Sequence, residues 1–313
     1  LQLAARQLAD PTFASEVWST ERARFIAAIK EANSQPGTQA QRAYARAVYG
    51  THPYGYEPDD TSLQAITPHD LRQFHDRYLT ACRARVSIVG ALNRAQAEAA
   101  VERLLSLLPS GGSCEALPGV SDVQPLQAAT ERIIALNSAQ AHVLMGQPGI
   151  ARSDPAFFPI TVGNYILGGG GFVSRLTEQV REKRGLSYSV YSYFAPGLHA
   201  GAFTVGLQTR PDQATQAVQV ATEVLRQFVE KGPTEQELKA AKDNLVGGFA
   251  LRLDSNRKLL DQLANIGWNR LPLNYLDTWT DDVQRVTVAD IQAAFRRVLQ
   301  PDRMVTVIVG GQP

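Results

Sequence analysis

Two stretches of this chain read alike: SLQAITPHDL at residues 62–71 and DVQRVTVADI at residues 282–291. Thr67 falls on Thr287 and Asp70 on Asp290, 220 residues apart in each case. Each Thr stands just before a run with helical spacing, where its hydroxyl suits the N-cap, and Pro68 suits a first helical position. Carried on without a gap, the offset pairs Gln64 with Gln284, Arg77 with Arg297, Leu79 with Leu299 and Arg83 with Arg303. It then pairs Ile88-Val89-Gly90 with Ile308-Val309-Gly310. Upstream, Trp18 falls on Leu238, Phe25 on Leu245 and Ile26 on Val246. A gapless match over a helix, its cap, a loop and a strand argues for two copies of one unit.

Length agrees, since 313 residues suggest about two domains. The hydrophobic fraction of 44% is enough for real cores. Lys plus Arg number 31 against 30 for Asp plus Glu, so no global field draws in nucleic acid or an anionic membrane. No apolar run approaches the ~20 residues needed to span a bilayer. Cys82 and Cys114 are too few for a disulfide framework and lack metal-ligand spacing. They are open to one disulfide or to two free thiols.

Helices are expected up to Leu8, over 15–33 and 40–48, from Thr67-Pro68 through Tyr78, and over 96–107. A short strand is expected at Val86–Val89, ending on Gly90. The Pro/Gly/Ser-rich stretch 109–127 reads as a linker. Beyond it come strands at 130–136 and 142–146 and a helix over 155–167. The four glycines Gly168, Gly169, Gly170 and Gly171 separate that helix from one ending near Lys183. Strands follow at 186–194 and 202–208. Pro211 then opens an amphipathic helix carrying Ala214, Ala217, Val218, Ala221, Val224, Leu225 and Phe228 on one face. Thr234-Glu235-Gln236-Glu237 reads as a capping box for a long helix, and the chain closes on a helix and a strand at Val305–Val309. The domains are therefore expected at 1–108, a first repeat lacking its front half, and 128–313, a complete second repeat. A half-sheet would leave unpaired edges, so the biological chain is expected to be longer.

Residues 172–190, FVSRLTEQVREKRGLSYSV, follow an LGGGG loop. This segment resembles the C-terminal-domain signature of the pitrilysin/insulinase (inverzincin) family of zinc metallopeptidases. HPYG at 52–55, the two helix starts above and ELKAAKDNL at 237–245 are similar to the same family. The resemblance implies an α+β fold of two homologous domains, each an antiparallel-rich β-sheet with helices packed on one face (processing-peptidase/LuxS-like metallohydrolase type). It also implies half of a clam-shell that a second subunit or half completes.

Family chemistry uses an HxxEH helix with two His zinc ligands and a Glu general base, plus a third ligand in a downstream ExxxxxxE pattern. Glu21 matches the first acid of that pattern, but the ligand position is Ala28, whose methyl group cannot coordinate zinc. No HxxEH occurs in the sequence. His52, His69, His75, His142 and His199 read as structural or solvated. Resemblance to the non-catalytic subunits of the bacterial two-subunit members and of mitochondrial processing peptidase implies no metal in this chain. Zinc is expected in a homologous partner subunit acting on a peptide.

Such subunits contribute an Arg and a Tyr seven residues apart, and Arg181 and Tyr188 have that spacing. A permanent cation and a neutral donor suit a carbonyl and its oxyanion. The plain alternatives are an Arg complementing a helix end and a Tyr packing on a strand. In the family, Gly168 to Gly171 border the substrate chamber; read plainly, they make a turn. No GK[ST] follows them, which argues against a nucleotide. Two other expectations stay open: an active zinc endopeptidase whose HxxEH lies upstream, and a non-proteolytic structural relative. The family also suggests a periplasmic location, with the cytoplasm as the other choice.

Overall fold

The computed structural model describes residues 1–109, 114 and 116–311. These form two compact units, each discontinuous in sequence. One comprises Leu1–Ala32, Pro58–Gly119 and Leu251–Pro272; the other comprises Asn33–Glu57, Val120–Ala250 and Leu273–Pro313. The units cut across the repeat, because a segment of each copy groups with the other. Residues 110–113 and 115 of the expected linker lie outside the described residues.

The first unit is built from helices α1 (Gln2–Ala9), α2 (Ser15–Asn33, all but its last residue), α4 (Asp60–Ala65), α5 (Pro68–Tyr78), α6 (Arg94–Leu105) and α10 (Asn256–Asn269). The second holds α3 (Pro36–Tyr49), α7 (Phe157–Asn164), α8 (Ala214–Lys231), α9 (Glu235–Gly247), α11 (Tyr275–Arg285) and α12 (Val288–Val298). It also holds a five-stranded sheet of β1 (Thr130–Ile134), β2 (Ala141–Pro148), β3 (Ser189–Phe194), β4 (Ala202–Thr209) and β5 (Val305–Val309). The strand order is β1-β5-β2-β4-β3; β1 runs parallel to β5 and every other pairing is antiparallel.

All five residues of β5 are buried, because it lies inside the sheet with both faces covered. Val305, Val307 and Val309 face α3, whose Ala40, Ala43, Tyr44 and Val48 form one cluster with them. The two alanines let the helix backbone approach the sheet closely. The Tyr44 hydroxyl donates to the Phe203 carbonyl at 2.7 Å, so its burial leaves no unpaired group. On the opposite face α8 buries Ala217, Ala221, Leu225 and Phe228, a stripe at helical spacing. Phe228 meets Phe295 of α12 edge to face at 4.8 Å, and Phe295 meets Phe194 of β3 at 6.0 Å. The α+β architecture with helices banked on one face is thus present, and α3 adds cover on the other.

The two repeat copies share their helix start to within 0.1 Å. Thr67 Oγ1 donates to Asp70 at 2.7 Å while the Asp70 amide donates back at 3.2 Å; for Thr287 and Asp290 the values are 2.6 and 3.1 Å. Downstream the copies diverge. The strand expected at Val86–Val89 does not form. A strand needs a partner for its amides and carbonyls. Its counterpart β5 pairs with both β1 and β2, whereas the first unit contains no strand among its described residues. Matched apolar positions differ in the same sense: Leu245 is buried, while Phe25 is 50% exposed. Cys82 and Cys114 are joined in a disulfide, which decides between the two states open from sequence.

Candidate functional site

The candidate site lies wholly within the second unit, between the end of α7 and the start of β3. The helix expected over 155–167 does not stop at the glycines. It passes from α7 into a wider turn, Tyr165–Gly169, closed by the Gly170 amide donating to the Tyr165 carbonyl at 2.8 Å. A second wide turn, Thr177–Glu182, ends with the Lys183 amide on the Glu178 carbonyl at 2.9 Å. Such five-residue turns often mark functional positions in helices.

Gly168 is buried where a Cβ would stand 2.4 Å from Ser192 Oγ of β3, so only glycine lets this segment close on the strand. Asn164 fastens the same contact: its amide donates to the Ser192 carbonyl at 3.0 Å and its Oδ1 accepts from Ser192 Oγ at 2.8 Å. Gly171 has φ +62 with open space around it, the left-handed conformation that favours glycine. Gly168 is therefore packing, Gly169 is exposed, and Gly171 turns the chain.

After Gly171 the buried Ser174 holds the turn, its Oγ donating to the Gly171 carbonyl at 2.7 Å. Arg175 then forks onto Glu237, with Nε and Nη2 each 2.7 Å from a carboxylate oxygen, and Nη2 also reaches the Gly232 carbonyl at 3.1 Å. Glu237 is the N3 residue of the α9 capping box expected from sequence. Burial pushes its carboxyl up, but the Arg175 fork and the Thr234 amide and hydroxyl outweigh it and hold the pKa at about 2. The segment bearing Arg181 is thus tied to α9.

Arg181 and Tyr188 are brought together. The guanidinium carbon of Arg181 lies over the Tyr188 ring, 5.0 Å from its centroid. It also lies 4.7 Å from the centroid of Phe172. Arg181 Nε is 3.3 Å from the Glu182 carboxylate, and among the described residues its Nη atoms carry no hydrogen bond. Tyr188 is 81% exposed, so its ring is not packing within this unit. Ser187, beside it, is buried and donates to the Gln208 carbonyl at 2.8 Å, fixing the backbone from which the Tyr188 side chain projects. Phe172 was not singled out by sequence reasoning, although it opens the segment that carries the resemblance.

A cavity of about 560 Å³ opens between the first turn of α3 and the sheet, lined by Gly37, Arg42, Glu57, His142, Ser189 and Tyr191 among others. Burial pushes the His142 imidazole below its ordinary range. The cavity includes neither Arg181 nor Tyr188.

In the first unit Ala28 is exposed on α2, and Glu21 pairs with Arg24 at 2.7 Å. Among the described residues no group of three or more His, Cys, Asp or Glu is placed to hold a metal ion. Among the described residues no helix is long and apolar enough to cross a membrane.

Comparison with known proteins agrees with the fold. The chain is 34% identical to the crystal structure described as peptidase M16 inactive domain from Pseudomonas fluorescens, with a TM-score of 0.92 over 99% of this chain and 73% of that one. It is 29% identical to an uncharacterized zinc protease of Streptomyces coelicolor, over 89% of this chain and 62% of the relative. It is 27% identical to the non-peptidase homolog YmxG of Helicobacter pylori, over 91% and 65% respectively. The chain thus spans under two thirds of the length of these curated relatives. A family model described as peptidase M16 inactive domain matches residues 65–245, a span that takes in Arg181, Tyr188 and the glycine turn. On these grounds the chain belongs to the peptidase M16 inactive-domain family.

Proposed function

We propose that this chain is a non-catalytic subunit of a zinc-dependent peptidase, presenting Arg181 and Tyr188 to a peptide bound at the zinc of a homologous partner. The observation that carries the reading is the pairing of half-buried Arg181 with exposed Tyr188, which the two wide turns, the Ser187 anchor and the Arg175–Glu237 clamp hold in place. A cation and a phenol hydroxyl side by side can donate to a scissile carbonyl and to the oxyanion that grows on it. The chain's own contribution is to bind and orient that oxygen. Zinc on the partner would supply the activated water. Ala28 at the ligand position and the family's inactive-domain description support placing the metal elsewhere. The relative named a non-peptidase homolog supports it too. Gly168 to Gly171 belong to this reading as the turn that shapes the wall beside the pair.

We further propose a periplasmic or otherwise oxidising location, supported by the Cys82–Cys114 disulfide, a bond that persists where thiols are not kept reduced.

The test is reconstitution. The purified chain is assayed for zinc and for cleavage of a quenched-fluorescence peptide library, alone and mixed with a zinc-binding homologue from the same source. The proposal expects no stoichiometric zinc and no turnover alone, and turnover on mixing that exceeds that of the homologue by itself. Zinc at one per chain with cleavage by the isolated chain would overturn it.

A further inference from the structure

We propose that Phe172 is a positioning residue for the Arg181–Tyr188 pair, holding the Arg181 guanidinium so that its Nη donors face a bound peptide oxygen. This rests on the reading that Arg181 contacts substrate.

Three observations carry it. Phe172 is 72% exposed, so burial gives no reason for a large aromatic here. Its ring instead lies under Arg181, whose guanidinium touches two rings at 4.7 and 5.0 Å. The Arg181 side chain is only 28% exposed although both rings beside it face solvent. Finally, the turn presenting Phe172 is built rather than loose. Gly171 takes φ +62, the Ser174 amide and hydroxyl both donate to the Gly171 carbonyl, and Ser174 Oγ stands 3.1 Å from Thr177 Oγ1.

A long Arg side chain samples many rotamers, and each ring face removes some of them while leaving the guanidinium edge open to a ligand. Tyr188 alone offers one face. Glu182 stands 3.3 Å from Nε. Phe172 supplies the second contact and so fixes where the Nη atoms point. Misplacing a donor by an ångström is expensive in turnover, whereas the fold does not depend on an exposed ring.

The experiment is a double-mutant cycle on peptide cleavage by the reconstituted complex, with Phe172→Ala, Phe172→Leu, Phe172→Trp, Arg181→Ala and Phe172→Ala/Arg181→Ala. Circular dichroism confirms folding of each. Phe172→Ala and Phe172→Leu are expected to lower kcat/KM about tenfold, and Phe172→Trp, which keeps an aromatic face, to restore most of it. In the Arg181→Ala background Phe172→Ala should cost less than twofold, because the group it positions is gone. An equal cost in both backgrounds, or wild-type turnover in Phe172→Ala, overturns the proposal while leaving the role of Arg181 intact. Wild-type turnover in Arg181→Ala overturns both. In the isolated chain the Arg181 side-chain proton resonances should lose part of their ring-current shift in Phe172→Leu, a change that a purely structural surface residue would not produce.

Discussion

The guanidinium of Arg181 rests 5.0 Å from the centre of the Tyr188 ring. Seven residues apart in sequence, the two come together because the chain leaves a wide helical turn at Lys183, bends at Gly185, and enters β3 at Ser189. The rest of the second unit positions that bend.

The Arg175–Glu237 clamp sets one pH dependence. The Glu237 carboxyl is held at about 2 against an ordinary value of 4.5, so a depressed native pKa contributes stability that is complete above pH 4.5 and lost as pH falls toward 2. Glu237→Gln is expected to cost about 2 kcal/mol at pH 7, in the range for a hydrogen-bonded charged pair. Its penalty should shrink below pH 4. Urea titrations at pH 3, 4 and 7 check this, and a penalty that does not change with pH would count against the clamp.

His75 works in the opposite direction, in the first unit. Its Nδ1 stands 2.9 Å from Asp76 Oδ1 and its Nε2 2.7 Å from the Leu8 carbonyl, and both partners only accept. Both bonds form at once only on the imidazolium, and the hydrogen bond to Asp76 raises the pKa from its ordinary 6.5. A raised native pKa contributes stability that is present below pH 6.5 and lost as pH rises through the native value. Hydrogen exchange of α1 amides should therefore quicken, beyond the intrinsic rate increase, as pH rises above 6.5. In His75→Gln that excess should vanish.

The core makes a sharper prediction. Phe295 is fully buried between Phe228 and Phe194, and truncation there leaves a cavity that close packing cannot fill. Phe295→Ala is expected to lose about 3 to 5 kcal/mol by denaturant unfolding of the second unit. Phe172→Ala, by contrast, should lose under about 0.5 kcal/mol, as exposed substitutions do.

The disulfide closes a loop of 32 residues. Its reduction is expected to lower the stability of the first unit by up to about 3 to 4 kcal/mol on the loop-entropy account. A Cys82→Ser/Cys114→Ser variant should match the reduced protein in guanidinium titrations.

Much of this was legible in the sequence, for physical reasons that can be named. Thr67 and Thr287 announced two matching helix starts because an N-cap is local; both caps form, and the structure adds the reciprocal bonds of Asp70 and Asp290 that complete two capping boxes. The strands of the second unit were legible through their β-branched runs. Val86–Val89 was read the same way and was wrong, because strand formation depends on a distant partner that local pattern does not encode. The discontinuous units escaped the reading for a related cause: α3 belongs to the first repeat by sequence, yet its small Ala40 and Ala43 face fits β5 of the second. At the site, the family resemblance together with the seven-residue spacing points to Arg181 and Tyr188, while nothing local in the sequence sets Phe172 apart from any exposed apolar residue.

The most direct test of the central claim removes one oxygen atom. Tyr188→Phe keeps the ring over Arg181 and deletes only the hydroxyl, so folding and subunit association should be unchanged. Loss of one oxyanion donor typically costs roughly 100- to 1000-fold in turnover, about 3 to 4 kcal/mol. The measurement is kcat for peptide cleavage by the reconstituted complex, with association followed separately by analytical ultracentrifugation. A fall of that order with intact association is the expected result; a Tyr188→Phe complex that assembles normally and turns over at the wild-type rate would contradict the account.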